Sequence, residues 1–365
     1  MQTTVPFGDP KAAKKWSAAL AADVVKKSYF ERKFVGTSDN SIIQRKTELE
    51  SDSGDRISFD LSVQLRGEYT AGDNRIEGKE ENLRFYTDEV IIDQARKAVS
   101  AGGRMSRKRT VHNMRAVARQ RLSDYWSKFF DELMFIYLSG ARGINQDFVF
   151  PVGWAGHANN PIQAPDAGHI LYGGSATSAA TITANDKMSR ALIERAAVKA
   201  KMLQAADVDA ANMVPVTIDG EEHYVVVMSE YQAYDLRTSS SPADWLDVQK
   251  AAAAAEGRNN PIFKGSLGMI NNVVLHSHRN AIRFDNYGAG SNLPAARALF
   301  LGRQAGVVAF GTTGGMRFEW KEEMKDYGNE PTFASGVIFG FKKTRFNNRD
   351  FGVIALDTYA KDPNS

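Results

Sequence analysis

The chain has 365 residues, 43% of them hydrophobic, with 46 Lys and Arg against 43 Asp and Glu. It is longer than the roughly 250–300 residues at which a single core stops growing, so two main lobes are expected, and the near balance of charge argues against a partner held by the overall field. The absence of cysteine excludes disulfide staples, thiolate metal sites and cysteine nucleophiles, while no stretch approaches the ~20 uninterrupted apolar residues of a spanning helix or the apolar core of an export signal.

In chain order, Asp9 and Pro10 read as the N-cap and first residue of a short amphipathic arm helix, with Trp16, Leu20 and Val24 spaced four apart. Polar 36–41 reads as a hinge. A hairpin follows over 56–93: Ile57, Phe59, Leu61, Val63 and Leu65 alternate with polar residues on the outgoing strand, and Leu83, Phe85 and Val90 to Ile92 mark the return. Between them lies a long charged tip carrying Gly67, Gly72 and Gly78. A two-stranded hairpin is marginal alone in water, so its apolar face needs cover from beyond a small local core.

The strongest helical period runs over 106–139, through Val111, Met114, Ala118, Leu122, Tyr125, Phe129, Leu133 and Ile136, with Gly140 as the stop. Such a helix would span on the order of 50 Å. The Gly-, Pro- and Asn-rich segment 142–183 has no sustained period and reads as an ordered insertion. A second helix is expected over 184–204, a hairpin over 214–228 turning at Asp219-Gly220, and a third helix over 245–256 started by Ser241. The remainder is strand-rich, and the whole is α+β.

Catalytic signatures are weak. The glycines of "YGAGSNL" and "GTTGGMRF" lack phosphate-cradle spacing, Asp207 and Asp209 lack the calcium-loop pattern, and no Gly-x-Ser-x-Gly elbow occurs. His276 and His278 share one strand face but have no convergent third ligand in sequence, so a metal-dependent enzyme is a distant alternative. Charge is more informative: Arg96, Lys97, Arg104, Arg107, Lys108, Arg109, Arg115, Arg119 and Arg121 form a run without Asp or Glu. A solvated face, a nucleic-acid contact and an acidic surface of another subunit are the three readings of this run. The hairpin offers such an acidic surface in Glu48, Glu50, Asp52, Asp55, Glu68, Asp73, Glu77, Glu80 and Glu81, diluted by Arg56, Arg66, Arg75 and Lys79.

The order of arm, protruding hairpin, long helix, mixed lobe and returning strands resembles the major capsid proteins of tailed bacteriophages. The wording "RISFDLSVQLRG", "EGKEENLRFYTDEVIIDQARKAVSAGGRMSRKRT", "RLSDYW", "LSGARGIN" and "NPIFKGSLGMINNVVLHSH" is similar to the group typified by N-four-like podoviruses, over most of the chain. The resemblance implies a Hong Kong 97-type fold: an N-arm over 1–36, an E-loop region over 37–93, a P domain over 94–183 containing the spine helix, an A domain mainly over 184–320, and strands over 321–365 returning to the P domain. It implies a non-enzymatic subunit without cofactor or membrane partner, forming pentamers and hexamers of an icosahedral virion shell in the host bacterial cytoplasm. Portal protein, separate scaffolding and decoration proteins, and weakly held double-stranded DNA are the implied partners. No large cleaved prodomain is expected. An encapsulin-like compartment of the same fold is the nearer alternative. Subunit-contact candidates are Glu68, Asp73, Glu77, Glu80 and Glu81 on the hairpin, Arg104, Arg107, Lys108 and Arg109 in the basic run, and Trp16 and Leu20 on the arm.

Overall fold

The computed structural model describes residues 10–50, 54–62, 67–83, 85–206, 213–239, 245–251, 260–312 and 317–364. Helix α1 (Pro10–Lys27) leads through Ser28 into α2 (Tyr29–Lys33), followed by the parallel pair β1 (Val35–Gly36) and β2 (Ile43–Lys46). The hairpin strands β3 (Arg56–Ser62) and β4 (Phe85–Ile91) come next, and β5 (Asp93–Ser100) continues after one residue. Then follow α3 (Arg104–Lys108), α4 (Met114–Ser139), the small hairpin of β6 (Gly156–His157) and β7 (Asn160–Pro161), and β8 (Ile170–Tyr172). The second half holds α5 (Arg190–Ala206), β9 (Val216–Ile218), β10 (Glu221–Met228), α6 (Glu230–Ser239), and a helical segment at 245–251. It continues with β11 (Gly268–Ile270), β12 (Val273–Ser277), β13 (Arg283–Tyr287), β14 (Leu293–Leu301) and β15 (Gly306–Gly311). The last strands are β16 (Phe318–Lys325), β17 (Glu330–Lys343), β18 (Arg345–Phe346), β19 (Arg349–Asp350) and β20 (Val353–Tyr359).

Two sheets organise these elements. In the first, the order is β1, β2, β15, β17, β16, with β5 also on β17. Residues 338–343 of β17 pair with β15 and residues 330–337 with β16. Because β5 pairs with 332–339, overlapping both, it must take the opposite edge. The second sheet runs β11, β12, β10, β14, β20, β8, with β9 and β13 attached.

Alternation explains how the second sheet serves two cores. Val225, Val227, Val274, Leu299 and Leu301 face one core, shared with α4 and the first sheet's Phe310, Phe318, Phe339 and Phe341. Their neighbours Tyr224, Val226, Met228, Val273, Leu275, Ala298 and Phe300 face another, closed by Leu192, Ile193 and Ala196 of α5. A sheet covered on both faces needs apolar residues at every position. The two expected lobes therefore share a sheet.

The long helix departs from expectation at its start. It begins at Met114, about 39 Å from its far end, because the Asn113 side chain accepts from the backbone N–H groups of Arg115 (3.2 Å) and Ala116 (3.3 Å). Val111, placed on the apolar stripe by its spacing, lies outside the helix and is fully exposed. The Gly140 stop is present, in the left-handed region at φ 68°. Asp219 (φ 51°) and Gly220 (φ 85°) form the expected two-residue turn. The second helix begins at Arg190, six residues later than expected, and Ser241 lies outside the described residues.

The arm and its hinge are also firmer than the sequence suggested. Leu20 and Val24 are fully buried in the core that contains α4. At the supposed hinge, the Ser41 and Ile42 carbonyls accept from Gln304 N (2.8 Å) and Ala305 N (2.7 Å), and Asn40 bonds both ways with the Thr217 backbone. The closing strands divide: β16 and β17 stay in the first sheet, whereas β20 inserts between β14 and β8 of the second.

Candidate assembly surface

The hairpin has a fixed base and an exposed tip. Ile57 and Val90, directly opposite in register, pack with Leu49, Val307 and Ala309, and Phe59 meets Phe346 edge-on at 6.1 Å. Asp88 is buried; its carboxylate accepts from Lys342 Nζ and from Arg345 N (3.1 Å). The insertion adds a clamp: Asn160 Nδ2 donates to Ile91 O (2.7 Å) while Asn160 Oδ1 accepts from Ile91 N (3.1 Å). Nothing in the sequence marked Asn160 as an anchor, since its partner lies 69 residues away.

Past Ser62 the picture changes. Residues 67–83 have no strand or helix, and all but Thr70 are exposed. Glu81 Oε2 accepts from Gly67 N (2.6 Å) and Glu80 Oε2 from Gly78 N (2.7 Å), so two of the acidic candidates shape the tip's own backbone. Glu68, Asp73 and Glu77 are exposed with them. Four large apolar side chains also face outward: Tyr69, Ile76, Leu83 and Phe85. Sequence alternation had placed Leu83 and Phe85 in the returning strand and overlooked the other two. Apolar residues stranded among charges were the available signal.

The basic run separates into parts. Arg115 pairs with Glu322, Arg119 with Asp23 at 3.5 Å, and Arg121 with Asp124 at 3.6 Å. Arg115 and Arg119 also lie over the ring of Trp16, which stacks on Trp320 at 6.2 Å. Trp16 is thus half-buried within its own chain, and Leu20, wholly buried, offers no side-chain surface to a neighbour. On α3, Arg107 donates to Asn329 O (2.9 Å), and the Arg104 backbone N–H donates to Asn329 Oδ1 (3.0 Å), seating the short helix on the turn between β16 and β17. The side chains of Arg104, Lys108 and Arg109 are exposed, and no ion pair joins them to a carboxylate among the described residues. Met105, Val111 and Tyr327 are exposed beside them.

Of the histidine pair, His276 is buried in β12 and His278, just past its end, is half-buried. His276 Nε2 donates to Ile262 O (2.8 Å), and His278 stacks on Phe135 at 5.1 Å. Burial first, then the nearby Lys33 charge, pushes the His276 imidazole down to about 4; burial, Arg279 and Lys33 do the same to His278. Among the described residues no group of three or more His, Asp or Glu could hold a metal ion, and no helix is long and apolar enough to cross a membrane.

Comparison with known proteins places this architecture. The family described as phage capsid protein matches residues 4–362. A solved capsid of Ralstonia phage GP4 is 67% identical, covers all of both chains and superposes with a TM-score of 0.89. The chain belongs to the phage capsid protein family and has its Hong Kong 97-type fold. The major capsid protein of Pseudomonas phage KPP25 is 29% identical over 354 residues, with 89% of each chain covered. The capsid asymmetric unit of cyanophage Pam1, at 21% identity, TM-score 0.70, and 92% and 93% coverage, shares the fold. The function is that of a major capsid protein, a structural subunit of the virion that forms the capsid shell. The narrower N-four-like grouping rests on the sequence resemblance alone.

Proposed function

We propose that this subunit closes an icosahedral shell of pentamers and hexamers around a double-stranded DNA genome, with each hairpin lying on the α3 corner of a neighbouring copy. The observation that carries this reading is the hairpin itself. Its base is anchored by Ile57, Val90 and Asp88, while Tyr69, Ile76 and Leu83 of the tip and Phe85 at the start of β4 stand in solvent among carboxylates. Exposed apolar surface of this kind marks an interaction site, and the exposed cations of α3 supply the opposite charge.

In this reading 1–36 is the arm, 37–93 the E-loop region, and α4 the spine helix of a P domain built on the first sheet. The A domain is built on the second sheet and includes β20, while β15 to β17 belong with the P domain. The work of the protein is assembly in the host bacterial cytoplasm, with a portal protein, scaffolding and decoration proteins, and weak non-specific DNA contact as accessory partners. It requires neither catalysis nor a cofactor.

Charge reversal tests the contact. Arg107 holds Asn329, and Glu80 and Glu81 hold the tip, so the informative positions are Arg104, Lys108 and Arg109 against Glu68, Asp73 and Glu77. Each exposed pair contributes only ~0–1 kcal/mol, but a shell repeats it at every subunit. Reversing the three cations to Glu should abolish DNA-free shells, and reversing the three acids to Lys in the same chain should restore them. Normal empty shells from the first variant would contradict the contact and favour DNA as the partner, with salt-sensitive genome retention as its sign.

A further inference from the structure

The corner that receives the hairpin also contains a cleft of about 220 Å³. Its apolar lining of Ala101, Met114, Met324, Pro331 and Phe333 is flanked by the polar Arg107, His112, Asn113 and Arg115. It lies at the start of α4, where Asn113 caps Met114 and the preceding Val111 is fully exposed. The exposed cations Arg104, Lys108 and Arg109 lie on the adjoining α3 segment.

We propose that this cleft is the socket for Ile76 of a second copy, an inference resting on the reading that the hairpin lies on a neighbour. Ile76 is 65% exposed and opens a turn closed by Lys79 N donating to Ile76 O (3.0 Å), with Gly78 at φ 84° supplying the left-handed residue such a turn needs. Glu77 follows it directly, and Glu80 and Glu81 fasten the surrounding backbone. The tip thus presents one branched aliphatic side chain at the head of an acidic turn. The corner presents a cleft of mixed lining, its apolar part formed by Met114, Met324, Pro331 and Phe333, beside unpaired cations. A nucleic acid would satisfy the cations but leave the exposed Met324 and half-buried Met114 uncovered, whereas the tip of a second copy satisfies both.

The absence of native cysteine makes the test specific. In assembled shells, Ile76→Cys combined with Met324→Cys, or with Met114→Cys, should give reducible, covalently linked oligomers on a non-reducing gel. Each single variant, and the dissociated subunits, should remain monomeric. Shells that form with either pair yet yield only monomers under oxidation would overturn the socket. If neither pair assembles, Ile76→Asp in the otherwise native chain decides: it should lower shell yield about tenfold or more, while Val152→Asp, at an exposed apolar position outside the tip and the α3 corner, leaves the yield unchanged. Equal yields would overturn the proposal. Failed cross-linking beside a successful charge swap removes the socket alone; failure of both removes the hairpin contact as well.

Discussion

Asp131 shows how one residue fastens the arm to the spine. Its carboxylate, buried on α4, accepts from Ser28 Oγ (2.7 Å), Tyr29 N (2.9 Å) and Phe30 N (3.2 Å), satisfying the first turn of α2 from about a hundred residues away. Burial pushes the carboxyl up to about 6, against the pull of those three donors, and the nearby Glu31 adds to the rise. A carboxyl raised from 3.8 to about 6 binds a proton more readily folded than unfolded. Its contribution to stability is therefore greatest below about pH 4 and falls as pH rises through 6. Wild-type protein should exceed Asp131→Asn in thermal stability by more at pH 4.5 than at pH 7.5, with a difference of about 2 kcal/mol between the two conditions. Unfolding curves of unassembled subunits at both pH values measure this. The opposite trend would mean that the three donors favour the ionised form. In the sequence Asp131 is merely a polar interruption of an apolar stripe, because its partners are set by tertiary packing.

At the scale of elements, α4 carries the greatest burden. Phe129 and Leu133 lie deep on it, and Phe129 touches Trp126, Phe150 and Phe339. Truncating each costs ~2–5 kcal/mol, so Phe129→Ala with Leu133→Ala should consume most of a typical domain stability of about 5–15 kcal/mol. Insoluble or unassembled protein is the expected outcome in an expression and sedimentation assay; normal particles would show that this stripe is not core. The helix was legible from its period and its Gly140 stop, since both are local. Its start was not, because Asn113 captures the backbone two and three residues ahead, and the spacing of Val111 could not reveal that nothing covers it. The second-sheet strands were legible as apolar runs because both faces are buried. The destination of β20 was not, since its partners Leu299 and Leu171 are remote in sequence.

At the scale of the molecule, the candidate surface was half legible. Charge reads directly from sequence, so the acidic tip and the cations of α3 were visible, but which cations are already paired depends on folding: Arg115 and Arg119 are held by Glu322 and Asp23. The apolar companions, Ile76 above all, were hidden among charged neighbours. In the proposed assembly the subunit is incomplete alone, and its tip finds its cover on another copy. A cryo-electron microscopy reconstruction of purified particles tests this most directly. It should show a closed icosahedral shell built of this chain, with density for the tip over the α3 corner of an adjacent subunit. A tip folded back on its own body, or particles in which the chain forms no closed shell, would contradict it.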